Sequence, residues 1–401
     1  MDEQAMVRKT LRFDRSLESL NRLIDAFMKS RDKIRSRHSK IIAKWRLFPP
    51  EIIYALGATP YDLLLHEGLT RNLSGKLRGD SYAIEAGLSA DSCPWNLTST
   101  GMILSEKASA PIDIFLAGAG LCDVSSKSWQ IMAKQTGKPI YPVETPIFEL
   151  NAQKRALTFI QEELSLLFAR LGRRLGQQYS ESRLREEVKK GNRVRRLLLD
   201  VTSLLSQSSP PLNALEYFLI HATAGDYLQD PDYLATLISS VKGEAEKRIY
   251  ENKWPPGLAD DPVRIYYVGM APQDLQFWNM IEDSGGVLVG CDTYLPLFYD
   301  LIPENGPVLE DLAKWIWMMP HHMVGADRAK ALMRYIKEQK PEAIIMGNVA
   351  GCRSLSSSDR IMKETLKEEL GIPITSVEFG ASEDDVALLE PHIKAFIEIC
   401  R

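Results

Sequence analysis

The chain lacks any apolar run of the ~18–20 residues needed to cross a bilayer, and residues 1–25 lack the apolar stretch of a secretion signal. Both absences point to a cytoplasmic protein without membrane attachment. Basic residues are not in excess. The net charge is −4, with 49 Lys and Arg against 53 Asp and Glu, so no electrostatic case for nucleic-acid binding exists. Neither a Walker loop nor a G-x-G-x-x-G fingerprint occurs, which excludes ATP or dinucleotide binding by those routes. Cysteine is scarce. There are five, widely spaced and with no C-x-x-C pair, so a disulfide framework is not expected.

What is present reads as a large α/β protein. At 401 residues the chain exceeds the ~250–300 at which single cores stop growing, so more than one domain is expected. Residues 16–42 read as one charged amphipathic helix. Strands are expected at 112–116 and 139–143, with a helix between them at 126–135. This is the β-α-β spacing of a parallel sheet. A long helical stretch follows over 152–190, with more helix to 205, over 213–228 and over 230–250, until Trp254-Pro255-Pro256-Gly257 ends it. A second alternating run then predicts strands at 263–269, 286–290, 343–346 and 374–377. Helices are expected at 273–282, 327–338, 359–370 and 384–400. The expected fold is α/β: two doubly wound, Rossmann-like parallel-sheet domains (1–152 and 257–401) with a helical insert at 153–256.

Three cysteines stand in contexts that suit a ligand better than a core. Cys93 closes Ala90-Asp91-Ser92-Cys93. Cys122 follows Gly118-Ala119-Gly120-Leu121, and Cys352 follows Gly347-Asn348-Val349-Ala350-Gly351. Cys122 and Cys352 lie just past predicted parallel strands, where open α/β sheets bind ligands. A helix N-terminus there favours thiolate, and glycine lets the backbone approach closely. Three thiols from two domains suggest an oxygen-sensitive iron–sulfur cluster held between them, with one iron open to substrate. Cys291, in Gly290-Cys291-Asp292, also follows a strand and is a substitute ligand; Cys400, near the end of the last helix, reads as inert. A zinc protein, or one whose cysteines are coincidental, is the rival.

Ordered motifs across most of the length strengthen this reading. They are Phe48-Pro49-Pro50-Glu51 with Gly57-Ala58-Thr59-Pro60; Ala90-Asp91-Ser92-Cys93; Pro111-Ile112-Asp113 through Cys122-Asp123 and Lys127; Ser209-Pro210-Pro211-Leu212-Asn213; and Gly351-Cys352-Arg353 leading to Glu368-Glu369-Leu370-Gly371-Ile372-Pro373. In these the chain resembles a subunit of the 2-hydroxyacyl-CoA dehydratase / benzoyl-CoA reductase family. The resemblance implies two doubly wound domains, a [4Fe–4S] cluster on Cys93, Cys122 and Cys352, and a partner subunit of similar build, as heterodimer or homodimer. It also implies an acyl-CoA substrate and an ATP-dependent iron–sulfur activator that supplies one electron, so that a ketyl radical anion expels the 2-hydroxyl. The alternatives are a benzoyl-CoA reductase-type subunit, a double-cubane-cluster reductase, and an electron-transfer subunit with no substrate site of its own.

Three further residues carry catalytic expectations. Glu67 is the expected base for the β-proton, and His66 the expected donor to a thioester oxygen; the bland reading of Glu67 is a solvated residue at a strand end. Arg46 stands where dehydratase subunits of the family commonly carry a serine just ahead of Phe-Pro-x-Glu. A guanidinium cannot accept a proton, but it binds a carboxylate or thioester oxygen well. Glu51, in the first turn of its helix, is expected to be structural. His321-His322 reads as core, since adjacent side chains point different ways.

Overall fold

The computed structural model describes residues 10–36, 38–74, 80–105, 111–208, 210–380 and 384–401; Ser209, the first residue of one family motif, lies outside them. Two four-stranded parallel sheets form the frame. The first contains β1 (Ile41–Lys44), β2 (Thr59–Asp62), β3 (Ile114–Ala119) and β4 (Ile140–Glu144), in the order β2-β1-β3-β4. The second contains β5 (Val263–Gly269), β6 (Gly286–Cys291), β7 (Ala343–Val349) and β8 (Ile374–Phe379), in the order β6-β5-β7-β8. The two orders are the same. In each sheet the strand order reverses between the first and third strands, the switch point at which open α/β sheets generally bind ligands.

The strands read as parallel strands should. Ile41, Ile42 and Ala43 in β1, and Ala343 through Met346 in β7, are buried, as expected of a sheet covered on both faces. Each fully buried aliphatic side chain contributes roughly 1.5–3 kcal/mol. The 16–42 region is shorter as a helix than expected: the helix is Glu18–Arg35, and Ile41–Lys44 peels off as β1. The predicted 152–190 helix is two, Gln153–Leu175 and Glu181–Leu204. Gly176 breaks it at φ 65°, a left-handed cap, and Ser180 restarts it by accepting from the Arg183 N–H.

The helices Gln153–Leu175, Glu181–Leu204, Ala214–Ala222 and Pro231–Tyr250 stand between the sheets in sequence, and one buried apolar cluster joins them to both. The leading helix Glu18–Arg35 packs on Pro231–Tyr250. Among the described residues no helix is long and apolar enough to cross a membrane.

Candidate functional site

The carboxyl edges of both sheets face a shared interior. Trp95 donates its indole N–H to the Ala271 carbonyl (3.1 Å), Thr98 Oγ1 donates to Gln273 Oε1 (3.1 Å), and the Phe148 N–H donates to the His322 carbonyl (2.8 Å). Each of these bonds links the two sheet domains.

Cys93, Cys122 and Cys352 each occupy the cap position that precedes a helix: Pro94–Leu104, Asp123–Thr136 and Arg353–Ser356. Cys122 and Cys352 follow β3 and β7, the corresponding strands of the two sheets. The Cys122 sulfur accepts from the Ser125 N–H at 3.4 Å. The loop bearing Cys352 lies against the loop bearing Cys93: a Cβ on Gly351, at φ 79°, would stand 2.3 Å from the Asp91 carbonyl oxygen. Only glycine allows that approach.

The thiols are close enough to perturb one another. Burial pushes Cys93 up to about 12, with Cys352 and Cys122 adding to the rise. Burial pushes Cys122 up to about 11; the Ser125 N–H opposes the rise, while Cys352 and Asp123 add to it. The expectation that helix N-termini would lower these values is overturned, because desolvation outweighs the N–H donors. Thiols in this state become thiolates when positive charge stands among them, which is what iron supplies. Among the described residues no three His, Cys, Asp or Glu side chains form a group that could hold a single metal ion. A cubane binds each thiolate through a different iron, so its anchors stand further apart than the ligands of one ion. Thiols on three separate helix caps would suit such a group.

Cys291 stands apart from the three. It is buried, its thiol donates to Thr293 Oγ1 at 3.1 Å, and burial, followed by Asp292, pushes it up to about 12. Cys400 lies at the end of the last helix, at the margin of the core.

His66 and Glu67 sit on a helix, Leu63–Ser74, that starts directly after β2. Both are fully buried, so the picture of a solvated glutamate at a strand end does not hold. Tyr61 donates to Glu67 Oε1 at 2.6 Å. His66 stacks between Tyr61 and Phe27, and its Nε2 lies 2.7 Å from Asp226 Oδ2. Gln229 Nε2 reaches both partners at 2.9 Å. Burial raises the Asp226 carboxyl, but the His66 charge and hydrogen bond, with the Asp62 N–H and Gln229, bring it below its ordinary range. The strap that presents Asp226 and Gln229 is strained: Tyr227, Leu228 and Gln229 are all left-handed, at φ 55°, 49° and 59°. Gly68 of the His66 helix lies against Trp95, two residues beyond Cys93, so this knot adjoins the thiol-bearing helix.

Arg46 follows β1 and is buried. Its Nη2 donates to the Thr293 carbonyl at 3.2 Å, and its guanidinium lies 3.8 Å from the centre of the Tyr294 ring. Glu51 pairs with Arg195 at 2.6 Å and accepts from Tyr227 at 2.7 Å, a structural role. Lys44–Asp62, at 3.8 Å, and Arg328–Asp292, at 2.6 Å, are further ion pairs at the strand ends. Sequence reasoning did not find Asp226, Gln229 or Arg328, because single polar residues in helical or loop contexts carry no pattern. Asp292 had a signal, its place directly after a strand.

Two like-ordered four-stranded parallel sheets with flanking helices define a mixed α/β protein of two Rossmann-like units. The chain belongs to the family described as 2-hydroxyglutaryl-CoA dehydratase, D-component, whose model matches residues 47–400. A protein of Escherichia coli (strain K12), YjiM, named provisionally as a dehydratase subunit, is 24% identical over 325 residues, covering 79% of this chain and 82% of that protein. Family membership supports a dehydratase subunit with lyase-type chemistry.

Proposed function

We propose that this chain is the iron–sulfur subunit of a CoA-thioester dehydratase that converts a 2-hydroxyacyl-CoA to the enoyl-CoA. The observation that carries the proposal is the placement of Cys93, Cys122 and Cys352 on three helix caps, with the Cys352 loop pressed against the Cys93 loop at Gly351. In this reading these residues hold a [4Fe–4S] cluster, which, when bound, supplies one-electron reduction and an open Lewis-acidic iron.

The chain's own residues do the rest. Glu67 takes the β-proton, held in place by Tyr61 and shielded from water. His66, fixed by Asp226 and Gln229, orients the knot from which Glu67 projects. Arg46 meets a negatively charged oxygen of the substrate. A partner subunit of similar build and an ATP-dependent activator complete the enzyme.

Iron and acid-labile sulfide in anaerobically purified protein test the assignment. Replacing Cys93, Cys122 or Cys352 by Ser should remove most of the iron, and replacing Cys400 should leave it. Equal iron in all four variants, or native protein loaded with zinc, would sink it. A second reading, an electron-transfer subunit, draws on one observation: His66 and Glu67 are both buried and bonded internally. Full turnover by the Glu67→Gln variant on every accepted ester would favour that reading.

A further inference from the structure

The leading helix, Glu18–Arg35, is fastened by groups outside itself. Leu17 stands at its N-cap, and no side chain there accepts from the first turn. Two glutamates of other helices supply the acceptors. Glu216, in Ala214–Ala222, takes the Leu17 N–H at 2.8 Å, and Glu244, in Pro231–Tyr250, takes the Ser19 N–H with its two oxygens at 3.2 and 3.1 Å. Arg12, just ahead of the helix, pairs with Asp283 at 2.6 Å. Leu20, Leu23, Ile24 and Phe27 are buried, at the spacing of one helix face. The stretch that matches the family begins at residue 47, after this helix.

The helix lies on the knot around His66. It packs on the strap Tyr227–Gln229 as well as on Pro231–Tyr250. The three left-handed residues of that strap keep their shape only where neighbours impose it. Phe27 lies flat on the His66 ring, with centroids 5.1 Å apart and planes at 9°. Tyr61 lies flat on the opposite face, at 4.4 Å and 10°. Asp226, 2.7 Å from His66 Nε2, keeps the middle ring from sliding out. At the end of this pile of three rings, the Tyr61 hydroxyl donates to Glu67 Oε1 at 2.6 Å. Without the outer ring, the imidazole can tilt and Tyr61 loses the wall it lies against.

We propose that Phe27 is a positioning residue: through the rings of His66 and Tyr61, the leading helix sets the direction of the Glu67 carboxylate. The inference rests on the thioester reading above, in which Glu67 takes the β-proton, and it adds to that site an element from outside the family-matched stretch. A base works only within hydrogen-bond reach of its proton, so the aim of Glu67 bears directly on rate. Phe27 meets no substrate in this reading, so its loss should appear in kcat and not in KM.

The test uses full-length protein purified anaerobically from its native host, so that any partner stays bound, assayed with its activator on the 2-hydroxyacyl-CoA esters it accepts. Phe27→Leu fills much of the space but has no ring face. It should lower kcat about 10–100-fold, the scale of an ångström-sized misplacement, with KM, iron content and visible spectrum as in the wild type. Phe27→Met, a second ring-free variant that adapts to the same space, should do likewise, and Phe27→Tyr, which keeps the ring, should retain most of the rate. Tyr61→Phe should lower kcat as well. Adding Phe27→Leu to it should cost nothing more, because the helix acts through that hydroxyl. Histidine-labelled protein gives a readout apart from turnover: the His66 ring protons, shielded by two ring faces, should move downfield in Phe27→Leu while the remaining histidines keep their positions. Wild-type kcat in both ring-free variants, additive losses in the double variant, or an unmoved His66 signal would overturn the positioning role and leave the thioester reading standing. Full turnover by Glu67→Gln, or no turnover of any ester by the wild type, would overturn that reading and this inference with it.

Discussion

At the scale of single residues, the structure separates groups that hold the interior from groups available for chemistry. Glu51 is spent on Arg195 and Tyr227. Glu67 has one oxygen steadied by Tyr61, an arrangement that aims a carboxylate without neutralising it. Glu67→Gln should lower turnover about 10²–10⁴-fold, the usual worth of a positioned base, while the visible spectrum of the protein stays as in the wild type. A parallel loss of spectrum and turnover would show that Glu67 supports the fold instead. Gly351 offers a test of a different kind. Gly351→Ala removes no thiol, yet its new methyl would meet the Asp91 carbonyl at 2.3 Å and push the Cys352 loop off the Cys93 loop. Iron content should fall even though all three cysteines remain; unchanged iron would show that the two loops need not touch.

At the scale of elements, much was legible in the sequence and the failures have physical causes. The 263–400 half alternates apolar runs with amphipathic helices, and its strands and helices fall close to their predicted positions. β1 and β2 were not legible. Ile41–Lys44 follows a charged helix and ends in a lysine, so it reads as that helix's tail. Thr59–Asp62 carries a proline and an aspartate, both disfavoured in strands; β2 tolerates Pro60 because it is an edge strand. The helix Pro94–Leu104 was hidden for the opposite reason. It is buried on nearly all sides, so no apolar stripe marks it. Cys122 and Cys352 stand in a local pattern, a glycine loop after a strand, whereas Cys93 has only its short motif before a helix. The His66–Asp226–Gln229 knot has no such pattern, since its members meet only through the fold.

One contact between elements makes stability depend on pH. Glu282, at the end of the helix Gln276–Asp283, accepts from the Ala214 N–H at 2.6 Å and so caps the helix Ala214–Ala222. Burial pushes its carboxyl up to about 8 from an ordinary value of 4.5; the Ala214 N–H opposes the rise, and nearby Glu216 adds to it. Between those values the folded chain keeps a proton that the unfolded chain has lost. Stability should therefore fall as pH rises through this window, by at most about 1.4 kcal/mol per pH unit. Glu282→Gln keeps the accepting oxygen and removes the ionisation. Its melting temperature should match the wild type near pH 4.5 and exceed it increasingly towards pH 8. A constant difference across that range would assign the raised value to another group.

At the scale of the whole molecule, the two sheets present the same strand order to a common interior, and the third strand of each delivers a cysteine. The radical chemistry of the proposed function would need water kept out, and the proposed partner of similar build would supply the cover. Sedimentation under anaerobic conditions at micromolar concentration should show a dimer burying more than about 1,000 Å²; a strict monomer across that range would contradict it.

Cys93 and Cys352 lie near opposite ends of the chain, yet their loops press together through Gly351. This has a consequence for biogenesis. While the ribosome is still making the second half, the first part of the chain holds only two of the three proposed anchors. The third arrives with the last of the eight described strands, Ile374–Phe379, still unmade. A cofactor bound by all three can therefore be installed only after synthesis is essentially complete, by a donor able to reach between two folded halves. Fragments that stop before residue 352 should emerge colourless, however well their first sheet is formed.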